Sequence, residues 1–505
     1  MKKSVCLILC VAMLISCLVT TASAEVDVQY IPSALNMGDV NSDGSINGKD
    51  VLLLRKYIVG LDSSLTYENA DLTGDCLING KDVLSLRKYI VGLDVEISSV
   101  FAMGDIDITS EVEDLGFLYK SIWANPDTHR EEDTAPGIER VLARNPYDMV
   151  SYNGMVVASC GNYNTNQGPV YLYYVTRDSE KKKGMGNSFR TEQINKFYIY
   201  DDTLFALAAD PNAWCIGEFY MYVKNSRGKY EWHTINTLKD NIHCYDMIKY
   251  DGEYFFCGSN VNYIDGYERS MGTVFRFDGD DMLNSTQDDY TVVPFINKHG
   301  NVISYTDDQG VPRVYEFCEY KGELYAYYRD PYIKYYDQYY NYNGIYKYNK
   351  LTKQFEYCVG MSLDIPFEAA FYSQDVEGYM RDFEWNGKYV SVNFGLFLTD
   401  DFVNWEERSI EGYEDYVIRD CELIGDKLYV LATVENEEGH YTNAVFETED
   451  LVNFRRVVHF DTLGYVRSFT YCDGAFFFCI GTDPLNVNTE AGLECGRMYR
   501  YLYYK

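Results

Sequence analysis

From about residue 116 to the C-terminus one short pattern returns seven times: an alternating strand, a tight polar turn, then a second apolar strand. The turns are Tyr152-Asn153-Gly154, Tyr200-Asp201-Asp202, Tyr250-Asp251-Gly252, Tyr320-Lys321-Gly322, Trp385-Asn386-Gly387, Leu423-Ile424-Gly425 and Cys472-Asp473-Gly474. They lead into runs such as MVVASCG, EYFFCGS, KLYVLAT and AFFFCIG. Asn, Asp and Gly accept the positive φ that a two-residue hairpin turn requires, so each unit reads as a β-hairpin. A third strand follows every hairpin, at 170–175, 219–223, 274–277, 345–348, 396–399, 445–448 and 498–504. A sheet that repeats radially hides its edges, and about 40–50 residues per unit is the range of a four-stranded propeller blade. The spacing here is somewhat longer. The expected fold class is mainly β, a seven-bladed β-propeller over residues 116–505. Turn spacings from 38 to 70 residues leave six or eight blades, or a β-sandwich, as alternatives. The last unit ends on its third strand, so its fourth must come from elsewhere. Residues 117–123, FLYKSIW, are the candidate that would close the ring.

The N-terminal part is built differently. Residues 39–62 and 71–94 match at 18 of 24 positions, at a period of 32. Each copy begins with oxygen-bearing residues at the spacing by which a 12-residue loop surrounds calcium, using positions 1, 3, 5, 7, 9 and 12. In the first copy these are Asp39, Asn41, Asp43, Ser45 through its carbonyl, Asn47 and Asp50. In the second they are Asp71, Thr73, Asp75, Leu77 through its carbonyl, Asn79 and Asp82. Gly44 occupies position 6 of the first loop, where the chain turns sharply, and Cys76 occupies it in the second. A cysteine accepts positive φ poorly and Thr73 offers only a hydroxyl, so two calcium sites are expected, the second weaker. An amphipathic helix follows each loop, with Val51, Leu54, Tyr57, Ile58 and Leu61 matched by Val83, Leu86, Tyr89, Ile90 and Leu93.

A loop with only its following helix, repeated twice, resembles the type I dockerin over residues 37–94. The resemblance implies a small α-helical module that docks to the cohesin of a cellulosome scaffold. In that family the residues just after loop position 9 help to choose the cohesin. Here they are Gly48-Lys49 and Gly80-Lys81, identical in both copies, which implies docking in either of two orientations.

Residues 1–24 read as a signal peptide, with Lys2 and Lys3, an apolar run and Ala22-Ser23-Ala24 as the cleavage site. The competing reading is a lipobox at Leu14-Ile15-Ser16-Cys17, with lipid on Cys17. Release by signal peptidase is preferred, giving a secreted, extracellular protein held at a cellulosome or cell surface. Residues 95–115 are expected to be a linker. No later stretch is apolar enough for membrane insertion. A net charge of −33 argues against a nucleic-acid or anionic-membrane partner. Eleven of the 14 cysteines lie beyond residue 24, an odd number without framework spacing, and are expected as free thiols.

Six residues before each turn the propeller sequence tends to place a charge: Asp148, Lys196, Asp246, Glu316, Arg381, Arg419, and Arg467 or Ser468 in the last unit. The first strand of a blade lines the central channel, so these residues are expected to ring one mouth. Two readings follow. A pair among Asp148, Asp246, Glu316, Asp382 and Asp420 could serve as catalytic acid and base or nucleophile in a glycoside hydrolase, or do the work of a polysaccharide lyase. Alternatively Arg381, Arg419 and Arg467 hold an acidic sugar without catalysis. A third outcome is that blades pair these charges into a structural ring. Residues 327–342 contain eight tyrosines, and Tyr335, Tyr336 and Tyr339 are candidates for stacking under sugar rings. Thr399-Asp400-Asp401-Phe402-Val403-Asn404-Trp405 and Thr448-Glu449-Asp450-Leu451-Val452-Asn453-Phe454 resemble a turn motif of propeller glycosidases of families 43 and 32, and more loosely the Asp-box of sialidases. The motif implies a propeller and not its chemistry. The functional expectation is therefore a cellulosome component that acts on or binds plant polysaccharide, with a non-catalytic carbohydrate- or protein-binding propeller as the alternative.

Overall fold

The computed structural model describes residues 36–61, 64–98, 101–118, 144–161, 169–208, 216–264, 267–304, 312–329, 343–360, 381–392, 395–482 and 489–505. Residues 1–24, expected as a signal peptide, and Cys17, Tyr335, Tyr336 and Tyr339 lie outside the described residues.

The propeller has seven sheets, each read from its first strand outward. Blade 1 begins with Met149–Tyr152, blade 2 with Ile194–Tyr200, blade 3 with Asn241–Tyr250, blade 4 with Arg313–Tyr320, blade 5 with Arg381–Trp385, blade 6 with Val417–Ile424 and blade 7 with Val466–Cys472. Six of the seven hairpin turns carry positive φ at both central residues, as at Asn153 and Gly154 (51° and 72°). That is the backbone whose twist matches the strands it joins. The apolar faces between blades fill with Tyr and Phe, and Phe219 stacks on Phe256 with centroids 4.4 Å apart.

Blade 7 takes its fourth strand from before blade 1, as expected, but from Glu113–Phe117 rather than 117–123. Residues 119–123 lie outside the described residues. The aromatic run drew the sequence reading a few residues too far. The pairing depends instead on polar neighbours: Glu113 meets Arg500 at 2.5 Å and Asp114 meets Arg497 at 2.5 Å. The stretch 95–115 is not bare chain. Ile106–Asp107 joins blade 6 as a fifth, parallel strand against Val458 and His459. Phe101 is fully buried among Tyr429, Tyr471, Phe476, Tyr503 and Tyr504, with ring centroids 4.8–6.0 Å away.

The N-terminal module consists of helix α1 (Gly48–Ile58), one short turn of helix α2 (Tyr67–Ala70) and helix α3 (Gly80–Ile90). Asn47 and Asn79 cap the two long helices, each in a reciprocal box with Asp50 or Asp82. Of the expected apolar stripes only Leu54 and Leu86 are fully buried. The module packs on blades 6 and 7 in one continuous core that includes Leu54, Leu72, Phe101, Tyr471 and Tyr503. The ten described cysteines beyond residue 36 are free thiols.

Candidate functional site

The first strands place their charges where the sequence spacing expects them, with one shift. The blade 6 hairpin turns at Gly425-Asp426, since Ile424 pairs with Lys427, so the sixth residue back is Asp420, not Arg419, and it enters the ring. Asp148, Lys196, Asp246, Glu316 and Asp420 are all buried, at 0–6% exposure. Arg381 reaches Asp148 at 2.6 Å and Asp420 at 2.9 Å, so it ties blade 5 to blade 6 and, across the channel, to blade 1. Lys196 does the same on the other side, with Glu316 at 2.8 Å and Asp246 at 3.6 Å.

The second oxygen of three of these carboxylates has a repeated task. Asp148 accepts the Phe197 N–H at 2.8 Å, Asp246 accepts the Phe317 N–H at 2.7 Å, and Asp420 accepts the Phe469 N–H at 3.0 Å. Each of these amides belongs to the first strand of the next blade. Glu422 adds a second layer, accepting from Thr470 and from the Tyr471 N–H at 2.8 and 2.9 Å. A buried carboxylate must be matched by donors, and here each is matched by the neighbouring blade.

Electrostatics follow from burial. It pushes Asp148 up to about 6 against the pull of Arg381, and Glu422 up to about 8. Burial also raises Asp246 and Glu316. Burial lowers the Lys196 ammonium, but Asp246 and Glu316 outweigh it and leave the group above its ordinary value. Asp382 stands apart. It is half-buried, accepts the Tyr389 hydroxyl at 2.6 Å, and is pushed up to about 6 by burial.

Arg419 and Arg467 lie over aromatic rings. Arg419 is 4.1 Å from the Tyr465 centroid and donates to Thr433 at 3.0 Å; Arg467 is 4.4 Å from the Tyr147 centroid. Beside them, between blades 6 and 7, is a cleft of about 250 Å³ lined by Glu435, Tyr441, Tyr465, Thr482 and Thr489. The sequence reading missed it, because its walls come from strand ends and loops that no repeat marks. It opens at the ends of the blades opposite the hairpin turns. The α-helical module sits on the turn side, where Tyr67 packs over Gly474. The two seven-residue motifs are turns between third and fourth strands. Asp401 accepts from the Val403 and Asn404 amides, Asp450 from those of Val452 and Asn453, and these bonds hold both carboxyls down at about 2.

In the calcium-type loops, both oxygens of position 1 face the loop backbone. Asp39 accepts from Asp43 and Gly44, and Asp71 from Gly74, Asp75 and Cys76. Asp50 and Asp82 close the loops by accepting from Asn41 and Asn47, and from Thr73 and Asn79. The left-handed positions are the fourth and sixth in both copies: Ser42 and Gly44, then Gly74 and Cys76 at φ 70° and 59°. No three Asp, Glu, His or Cys side chains converge on one point among the described residues; Asp43 is held by Lys49 at 3.1 Å and Asp75 by Lys81 at 2.7 Å. The donor set is nonetheless all oxygen, mixing carboxylate, amide, hydroxyl and carbonyl, which suits a hard cation such as calcium. The helices behind the loops keep paired apolar residues in solvent: Leu52 with Leu84, Ile58 with Ile90, Val59 with Val91 and Leu61 with Leu93, at 38–78% exposure. Among the described residues no helix is long and apolar enough to cross a membrane.

Residues 37–91 match the dockerin type I domain. Domains of that family bind cohesins and generally bind calcium. No curated protein matches the chain. Among solved structures, the β-propeller domain of the Trilobed protease from Pyrococcus furiosus aligns at 10% identity and a TM-score of 0.35, over 67% of this chain and 92% of that one. An acylaminoacyl peptidase from Pyrococcus horikoshii aligns at 8% identity and 0.35, over 66% of this chain and 49% of that one. A Bacteroides fragilis protein designated a 6-phosphogluconolactonase aligns at 12% identity and 0.34, over 65% of this chain and 88% of that one. Likeness at this level bears on neither activity nor ligand.

Proposed function

We propose that this chain, a dockerin type I domain on a seven-bladed propeller, is a secreted cellulosome component whose propeller binds plant polysaccharide without cleaving it. The observation that carries the non-catalytic reading is the use already made of the inner carboxylates. Asp148, Asp246 and Asp420 each spend one oxygen on the next blade's backbone. A carboxyl that holds two blades together is a poor proton shuttle for a sugar. The cleft between blades 6 and 7 is the binding site in this reading, with Tyr441 offering a flat face and Thr482 and Glu435 polar edges. The signal peptide at 1–24 and the domain boundaries at 37–94 and 116–505 belong to the same proposal.

The test is a panel of plant polysaccharides scored for retention in affinity gels and for release of reducing ends. Retention without new ends is expected, and Tyr441→Ala should weaken it. Absence of retention on every polymer would refute the reading. A glycosidase reading has one observation in its favour: Asp382 is half-buried, raised to about 6 and bonded to Tyr389, as a general acid could be. Reducing ends released by the wild type and lost in Asp382→Asn would establish it instead.

Docking is the second half of the proposal. The paired exposed residues Leu52 and Leu84, Ile58 and Ile90, and Val59 and Val91 form two equivalent apolar faces suited to a cohesin. Both loops hold calcium in this reading, the second more weakly. Chelator is expected to abolish cohesin binding; in pull-downs with purified cohesin, capture that survives chelation would contradict it.

A further inference from the structure

The chain's last three residues leave blade 7 and end on the second calcium-type loop. Lys505 donates its N–H to the Cys76 carbonyl at 2.8 Å, and its own carbonyl accepts the Ile78 N–H at 3.1 Å. The two bonds bracket Leu77, whose carbonyl is the position-7 oxygen of that loop. Cys76 itself is buried, in the same apolar core as Tyr503. This accounts for a cysteine at a position that favours glycine: its side chain packs on the propeller's end, which a glycine could not do.

Several further bonds fix the tail. The Tyr503 and Tyr504 amides both donate to the Gly474 carbonyl, at 3.0 and 3.2 Å. Arg177, from blade 1, donates to the carbonyls of Asp473 and Tyr504 at 2.9 and 2.5 Å while its guanidinium covers the Tyr67 ring at 4.0 Å. Buried Glu68 accepts the Tyr471 hydroxyl at 2.5 Å. Immediately upstream of the tail, Arg497–Leu502 is the strand on which Glu113–Phe117 closes the ring. Among the described residues the bonds of the first loop run within the dockerin, as from Asn69 to the Asp39 carbonyl and between Ser42 and Thr66.

We propose that the second calcium loop is a clamp on ring closure: calcium held there stabilises the last strand of blade 7, and the C-terminal tail in return tightens that loop's grip on calcium. The clamp rests on the reading that this loop holds calcium. Coupling of this kind is reciprocal, so the two effects must agree in size. The two dockerin halves then differ in role although they are nearly identical in sequence. The first loop serves the dockerin alone, and the second also serves the propeller.

Hydrogen–deuterium exchange on the full-length protein tests this. Calcium is expected to slow exchange at 113–117 and 497–502, and chelator to release it. Asp75→Ala, in calcium, should release the same peptides, whereas Asp43→Ala, at the matching position of the first loop, should not. In calcium titrations Lys505→Pro, which removes one N–H donor and leaves the ring strands intact, should weaken one site about 5- to 150-fold and spare the other. If Asp75→Ala leaves the bound calcium count unchanged, the loop holds no calcium and the clamp falls with that reading. If it removes an ion while blade 7 stays protected, or if both loop variants release blade 7 alike, the clamp alone is overturned.

Discussion

Replacing Asp420 with alanine is expected to destabilise the propeller by about 3–5 kcal/mol, the usual cost of removing one partner from a buried ion pair. Asp420 is fully buried and accepts four bonds: from Arg381 at 2.9 Å, from Ser468 at 2.9 Å, from the Phe469 N–H at 3.0 Å and from the Cys421 N–H at 2.8 Å. Its removal takes a carboxylate partner from Arg381, itself nearly buried, and takes from blade 7's Phe469 amide the oxygen that accepts it. The Asn variant keeps one oxygen for that amide and should lose less. Urea unfolding midpoints of the two variants against wild type decide it. A midpoint for Asp420→Ala within experimental error of wild type would mean that the ring does not hold the blades together.

The second large effect is on pH. Folding raises Glu422 to about 8 and both Asp148 and Asp382 to about 6, in each case because burial disfavours the charged form. A carboxyl whose pKa is higher folded than unfolded binds its proton more tightly in the folded state. Its contribution is fully present below about pH 4, where both states are protonated, and is lost as pH rises through the folded value. Stability should therefore fall between about pH 4 and 6 from the two aspartates, and on to about pH 8 from Glu422. The Glu422 part alone is of order several kcal/mol, because each tenfold change in proton affinity is worth about 1.4 kcal/mol. Asp401 and Asp450, held near 2 at the surface, act in the opposite sense and only below about pH 4. Thermal melts from pH 5 to 9 should show Tm falling as pH rises. Glu422→Gln, which cannot ionise, should flatten the upper part of the profile. A wild-type curve that is level from pH 6 to 8 would refute the contribution assigned to Glu422.

The propeller was unusually readable from sequence because hairpin chemistry is local. Asn153-Gly154 and its six counterparts need left-handed backbone, and few residue types accept it, so seven turns stand out along the chain. The ring of charges was readable for the same reason, since it lies at a fixed distance from those turns. Its partners were not. Nothing in a linear sequence says that Arg381 reaches Asp148 across the channel. Asp420 rather than Arg419 faces inward because the blade 6 turn lies at Gly425-Asp426, one residue later than Leu423-Ile424-Gly425 suggests. The cleft by Tyr441 and Tyr465 was invisible too, being assembled from ends of strands in two blades.

The calcium-type loops show the same division more sharply. Sequence alone determined that residues 39–50 and 71–82 are two copies of one oxygen-rich loop, and that Cys76 sits at an awkward position. It also determined a dockerin on a seven-unit β fold, because periodicity and turn chemistry are short-range properties. Only the tertiary structure decided that the copies are unequal in use. The C-terminal strand of blade 7 ends beside Cys76 and Ile78, so the second loop shares its backbone hydrogen bonds with the propeller, while among the described residues those of the first stay within the dockerin. That contact joins residues more than 400 positions apart. It exists because closing the ring brings both ends of the propeller to one place, and no local pattern encodes where a ring will close.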